Sequence, residues 1–152
     1  MRVAICDDEI EFLDIIEDYI TKYSAQSGEL LEVMRFGSGE AFLEYYQKYR
    51  DFSIVFLDIC MDGIDGLKTA QELRALDMKI KIIFLTSMAK YATAGYSVNA
   101  FRYLVKPVDF RRFAYELKAA ITAIKNEEVA YYIEKNDMGI FKIYFDNIIY
   151  IE

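Results

Sequence analysis

Five times along this chain a short strand-like run is followed by a segment of helical period, and directly after four of those runs stands a residue with a reactive or charged side chain. The runs are Val3–Cys6, Leu30–Phe36, Ser53–Leu57, Lys79–Leu85 and Arg102–Val105. Val3–Cys6, Ser53–Leu57 and Lys79–Leu85 read as apolar strands, Leu30–Phe36 as an alternating one, and Arg102–Val105 as a short strand. The segments between them keep one apolar face. Phe12, Ile15, Ile16, Tyr19, Ile20 and Tyr23 predict a helix from Glu9 to about Ser24. Ser38 is placed to cap a helix from about Glu40 to Tyr49. Gly63 and Gly66 mark a loop before a helix over Leu67–Leu76, and a short, weakly amphipathic helix is expected over Tyr91–Asn99. Asp109 is placed to cap a long helix from Phe110 to about Asn126. Strand and helix in strict alternation predict an α/β fold, with a parallel sheet covered by helices on both faces.

In such sheets the working groups lie beyond the carboxyl ends of the strands, where the strand order reverses. The polar residues at those ends are Asp7 and Asp8, Asp58, Thr86 and Lys106. They bring three carboxylates, a hydroxyl and an ammonium to one edge. Carboxylates crowded together raise one another's pKa unless a cation compensates them. Mg²⁺ does so with oxygen ligands and keeps waters that a phosphate can displace. The lysine and the hydroxyl suit a phosphoryl group, and an aspartate can itself be the nucleophile that takes one. Singly, each feature has an ordinary explanation. Asp7-Asp8 suits a helix N-terminus, Asp58 a turn, Thr86-Ser87 a cap, and Lys106-Pro107 a helix start. It is their joint occurrence at successive strand ends that points to a site.

Composition narrows the chemistry. The chain has 152 residues, is 55% hydrophobic and carries a net charge of -7, so it has ample core and argues against nucleic-acid binding by this stretch. The absence of histidine removes most catalytic bases and zinc sites. No run approaches the roughly 20 apolar residues of a membrane span. Two cysteines without an export signal fit a cytoplasmic protein. Cys6 and Cys60 are expected to lie near each other, as small apolar residues rather than as a redox pair.

The pieces "ICDDE", "IVFLDICMDGIDG", "IIFLTS" and "NAFRYLVKPV", in this order, resemble the receiver domain of two-component response regulators. The resemblance covers nearly all of residues 1–125. It implies a flavodoxin-like, doubly wound five-stranded sheet in the order 2-1-3-4-5. It implies Asp58 as phosphoacceptor, and Asp7, Asp8, Asp58 and the main-chain carbonyl of Cys60 as Mg²⁺ ligands. Thr86 and Lys106 would bind phosphoryl oxygens. Thr86 and Tyr103 would form the switch, and Lys106-Pro107 would be a cis peptide. The partner implied is a sensor histidine kinase. The domain would be no enzyme in its own right, but would assist its own phosphorylation and dephosphorylation. Phosphorylation is expected to favour a homodimer through the Tyr91–Asn99 helix, the last strand and the last helix, a face that also gathers Tyr91, Tyr96 and Tyr103. One departure stands out: Asp62 occupies a position where this family usually has proline.

The remaining segment, "IKNEEVAYYIEKNDMGIFKIYFDNIIYIE", has strand-like runs over Ala130–Glu134 and Ile140–Phe145 about a turn with Asn136, Asp137 and Gly139. "DNIIYIE" resembles the start of a LytTR-type DNA-binding domain. The expected organisation is a receiver domain over 1–126, then a linker and the first strands of a truncated LytTR-type domain over 127–152. DNA would be contacted only through the missing part. Three alternatives compete with a phosphorylation switch. A Mg²⁺-dependent phosphohydrolase would commonly place a second acid two residues after its nucleophile, where Cys60 stands. A phosphorylation-independent protein-binding module would not need the intact set of site residues. A flavin-binding domain would need a phosphate-cradling loop after the first strand, and none is present.

Overall fold

The computed structural model describes residues 1–129, 131–136 and 139–144, with side chains through residue 128. Five parallel strands, β1 (Arg2–Cys6), β2 (Glu32–Phe36), β3 (Ile54–Leu57), β4 (Lys81–Thr86) and β5 (Arg102–Val105), lie in the order β2-β1-β3-β4-β5. Successive side chains of a strand point to opposite faces, so strands covered on both sides must be apolar throughout. On one face Ala4, Cys6, Val55, Leu57, Ile82 and Phe84 form a core with residues of α2 (Gly39–Tyr49) and α3 (Gly66–Leu76). On the other, Ile5, Phe56 and Leu85 meet Leu13 and Ile16 of α1 (Ile10–Ser27). There Phe56 also packs on Phe113 of α4 (Phe110–Val129), with ring centroids 4.7 Å apart. The doubly wound sheet expected from the alternation is the one observed.

Side-chain caps set the helix starts. Ser38 Oγ accepts the Ala41 N–H at 3.1 Å, and Asp109 Oδ1 accepts the Arg112 N–H at 2.8 Å, both as expected. Asp65, not singled out from the sequence, does the same for α3 through the Lys68 N–H at 2.8 Å. α1 continues to Ser27 because the left-handed residue that ends it is Gly28, whose N–H reaches the Ser24 carbonyl at 3.0 Å.

The segment expected as a short helix over Tyr91–Asn99 is a 3₁₀ helix over Ala89–Val98. Its sequence, AKYATAGYSV, is poor in strong helix formers and contains Gly95. Its buried residues, Gly95 and Val98, are spaced by the three-residue turn of a 3₁₀ helix. Arg74 of α3 fastens the far end. Its guanidinium donates to the carbonyls of Val98 (2.7 Å), Asn99 (3.0 Å), Asp77 (3.2 Å) and Ile80 (2.8 Å). Across β5, the buried Glu116 accepts from Arg102 Nε at 2.8 Å and pairs with Arg112 Nη2 at 2.9 Å.

The chain divides into two compact units, Met1–Glu116 and Leu117–Glu152, which part within α4. The second unit contains an antiparallel hairpin, β6 (Tyr131–Asn136) paired with β7 (Gly139–Tyr144). The expected strands overlap these, but Asn136 and Gly139, expected in the turn, pair with each other as the last residues of the ladder, and Ala130, Phe145 and "DNIIYIE" lie outside the described residues.

Tyr46 is fully buried, and its hydroxyl donates to Asp77 Oδ2. Burial alone would raise the Asp77 pKa. The Tyr46 hydroxyl, the N–H groups of Lys79 and Ile80 and the Arg74 charge outweigh it and hold the carboxyl below its usual value. Tyr46→Phe is predicted to cost about 1–2 kcal/mol at pH 7. A depressed folded-state pKa gives stability that is present above the unfolded value near ~4 and is lost as pH falls through the folded value. The deficit of Tyr46→Phe, read by urea unfolding, should therefore narrow at about pH 3. A constant deficit would assign the cost to packing instead.

Candidate functional site

Backbone hydrogen bonds carry the strand pairing one residue beyond the strands. The Asp7 N–H donates to the Phe36 carbonyl at 3.1 Å, the Asp58 N–H to Cys6 at 3.0 Å, and the Lys106 N–H to Thr86 at 2.8 Å. Each bond fixes the point from which the first loop side chain leaves the sheet. Because all five strands are parallel, Asp7, Asp58 and Lys106 leave from the same edge. Lys106 Nζ lies 2.6 Å from Asp7 Oδ2 and 3.3 Å from Asp58 Oδ2. It also sits 3.7 Å from the centroid of the Phe12 ring, a cation–π contact that the helical spacing of Phe12 did not announce. The Lys106-Pro107 peptide is cis, as expected.

Burial opposes both charges of the Lys106–Asp7 pair. It lowers the Lys106 pKa, but the hydrogen bond to Asp7 and the charges of Asp58 and Asp7 outweigh it, so the ammonium holds its proton more firmly than usual. For Asp7, burial dominates and raises the pKa, against the bonds from Lys106 and the Glu9 N–H. That Glu9 N–H reaches Asp7 Oδ1 at 2.9 Å, so Asp7 also shapes the entry to α1. Asp58 Oδ1 accepts the Cys60 N–H at 3.2 Å. Gly66 is required beneath this loop: a Cβ there would lie 2.0 Å from the Asp58 carbonyl oxygen.

Carboxylate oxygens of Asp7, Asp8, Glu9 and Asp58 can all lie within 4.8 Å of one another. Glu9 is thus a fourth member of a set foreseen as Asp7, Asp8 and Asp58. One ammonium does not balance this charge. The donors are all hard oxygens, two of the carboxylates are exposed and two are buried, and the set therefore fits Mg²⁺ rather than a soft metal.

Thr86 is fully buried, and its hydroxyl lies 3.9 Å from Cys60 Sγ, a weak acceptor, while accepting the Met88 N–H at 3.5 Å. Tyr103 is half-buried, and its hydroxyl donates to the Met88 carbonyl. Its ring is thereby tied to the segment that begins just after Thr86. The two cysteines are both free, Cys6 buried and Cys60 exposed. Cys6 Sγ is 3.8 Å from Met61 Sδ, and burial pushes its thiol pKa up, which keeps it protonated.

The sheet is flavodoxin-like, with an acid cluster and a half-buried lysine at its carboxyl edge. The family model of the response regulator receiver domain matches residues 3–135, and this chain belongs to that family. Sensory transduction protein LytT of Bacillus subtilis (strain 168) is 31% identical over 118 residues, covering 78% of this chain and 47% of that protein. Transcriptional regulatory protein RprY of Bacteroides fragilis (strain YCH46) is 26% identical over 148 residues, covering 96% of this chain and 58% of that protein. The chain thus spans about half the length of these curated relatives. The response regulatory domain of protein mrkE from Klebsiella pneumoniae superposes with a TM-score of 0.75 at 26% identity, over 83% of this chain and 99% of that one. Response regulator protein TrrA from Thermotoga maritima, in complex with Mg(2+)-BeF, gives 0.69 at 26% identity, over 78% and 97%. No helix among the described residues is long and apolar enough to cross a membrane.

Removing the lysine would leave two buried carboxylates without their shared counter-charge. Lys106→Met is predicted to lower stability by about 3 kcal/mol in metal-free protein at pH 7. Millimolar Mg²⁺ should narrow that gap, because the cation takes over the neutralisation. Urea unfolding with and without Mg²⁺ measures both effects, and an identical gap in the two conditions would contradict the charge argument.

Proposed function

We propose that this chain is the phosphoacceptor switch of a two-component transcription regulator, charged on Asp58 by a sensor histidine kinase. The observation that carries the reading is Lys106 Nζ held between Asp7 and Asp58 beside the exposed carboxylates of Asp8 and Glu9. Asp58 is the carboxylate bonded to both Lys106 and the Cys60 N–H, which aims it from two sides. An Asp58 oxygen attacks phosphorus, the P–O bond forms, and the P–N bond to the donor imidazole breaks, with the electron pair leaving on that nitrogen. Lys106 follows the growing negative charge. Mg²⁺, held by Asp7, Asp8, Asp58 and the Cys60 carbonyl, supplies Lewis-acid stabilisation of the phosphoryl oxygens when bound. The similarity to TrrA, whose structure carries Mg(2+)-BeF, supports that assignment.

Among the described residues the Thr86 hydroxyl donates to a weak sulfur acceptor, so a phosphoryl oxygen is a better partner. Movement of Thr86 draws on Met88, and through Met88 on Tyr103. The face altered is that of the 3₁₀ helix, β5 and the last helix, which we assign to homodimer formation. Moving such a switch from 1:99 to 99:1 takes about 5.5 kcal/mol of differential binding. The similarity to RprY, a transcriptional regulatory protein, supports an output in transcription. On this reading residues 127–152 are a linker and the first strands of a LytTR-type DNA-binding domain, and the protein acts in the cytoplasm. The phosphohydrolase alternative is disfavoured by Cys60, which puts a thiol where a second acid would serve.

Asp58→Asn should abolish phosphorylation by acetyl phosphate, read by intact mass, and label surviving on another residue would sink the assignment. The phosphorylated state should be long-lived. The receiver-domain resemblance implies that Cys60 and Met88 influence the incoming water, and neither a thiol nor a thioether orients water well. Cys60→Asn and Met88→Glu should shorten the half-life of phosphorylated protein in Mg²⁺. An unchanged or longer half-life would reject shielding by these side chains.

A further inference from the structure

The loop between β3 and α3 follows Asp58 directly, and two carboxylates from elsewhere in the fold grip its backbone. The Asp62 N–H donates to Asp8 Oδ2 at 2.9 Å. The Ile64 N–H donates to Glu40 Oε1 at 2.8 Å. Gly63, between them, has φ +79, and a Cβ there would lie 2.5 Å from Glu40 Oε1. The glycine thus makes room for the carboxylate as well as for the turn. A proline at position 62 would have no N–H to give, so the bond to Asp8 exists only because another residue stands there. With Asp8 Oδ2 engaged, the carboxylate is oriented and its other oxygen is left for a cation.

We infer that Glu40 and the backbone amide of Asp62 are positioning groups for the metal side of the site, holding the loop and Asp8 in one arrangement so that loop order and Mg²⁺ affinity are coupled. The inference rests on the phosphoacceptor function proposed above. Glu40 lies at the start of α2 and touches no reacting atom. It acts by fixing Ile64, and Ile64 limits where Asp62 and its N–H can sit. Asp8 then receives that N–H, so a contact made on α2 is felt at the carboxylate leaving β1.

The test uses the full chain, labelled with ¹⁵N. Amide exchange at Asp62 and Ile64 is measured in metal-free protein, and Mg²⁺ is titrated against the same amide signals. Glu40→Ala should speed exchange at Ile64 and weaken Mg²⁺ binding about tenfold, whereas Glu40→Gln, which keeps an acceptor oxygen, should recover most of both. Asp62→Pro should bind Mg²⁺ about tenfold more weakly than Asp62→Asn, since the two lose the same charge and only the first loses the N–H. If Asp62→Pro does not fold, the Glu40 pair decides alone. Unprotected Asp62 and Ile64 amides in the unmodified protein would overturn the inference. So would an unchanged Mg²⁺ affinity in Glu40→Ala. If the unmodified protein takes up no Mg²⁺ at all, the proposed function fails with it, a result distinct from variants that bind Mg²⁺ normally.

Discussion

Two carboxylates almost sealed from solvent share one ammonium at the carboxyl edge of this sheet, and the rest of the molecule is arranged around that contact. Taking Asp7 and Asp58 out of water is costly, and Lys106 offsets the cost only if it arrives within hydrogen-bond distance of both. It does so from the far side of the sheet, over the end of β4. That reach requires β1 and β3 to be neighbours, with Asp7 and Asp58 each one residue past the pairing of Cys6 with Leu57. A one-residue slip of either strand would turn its aspartate toward a helix-covered face and set an apolar side chain against the lysine. Register, strand order and site are therefore a single specification.

The main parts of this arrangement were legible in the sequence because they are local. An apolar run ending on Asp58 or Thr86 reports a strand end with no knowledge of what packs nearby. Ser38 and Asp109 report helix starts for the same reason. What escaped notice depends on contacts distant along the chain. Glu40 reads as an ordinary first-turn acid until Ile64 is seen to donate to it. Phe12 reads as one more apolar position on α1 until Lys106 is found over its ring. Glu9 belongs to the quoted run of acids, yet its place beside Asp58 follows from the pairing of β1 with β3, which comes much later in the chain. The 3₁₀ helix was hidden for a different reason. Small and β-branched residues weaken the α-helical preference without naming a replacement, and the Arg74 bonds that secure its end come from another helix.

The acid cluster and the loop beyond β3 also share their groups. Asp8 stands in the carboxylate cluster and accepts a backbone N–H from the loop, and Asp58 accepts another from Cys60. Charge at the site and backbone order in the loop are consequently not independent variables. Neutralising the carboxylates weakens charge-assisted bonds to the backbone, and loosening the backbone removes donors that help to offset the crowded negative charge.

Glu116 has a mechanical consequence. With Arg102 on one side and Arg112 on the other, it rivets β5 to the last helix at the level of Tyr103. The opposite flank, residues 89–98, is fastened at its far end by Arg74 and joined at its near end to Thr86 through Met88. The tyrosine-bearing segment beside β5 is thus held at its two ends, by Arg74 at Asn99 and by Thr86 at Met88, while β5 itself is held along its side by the Glu116 pair.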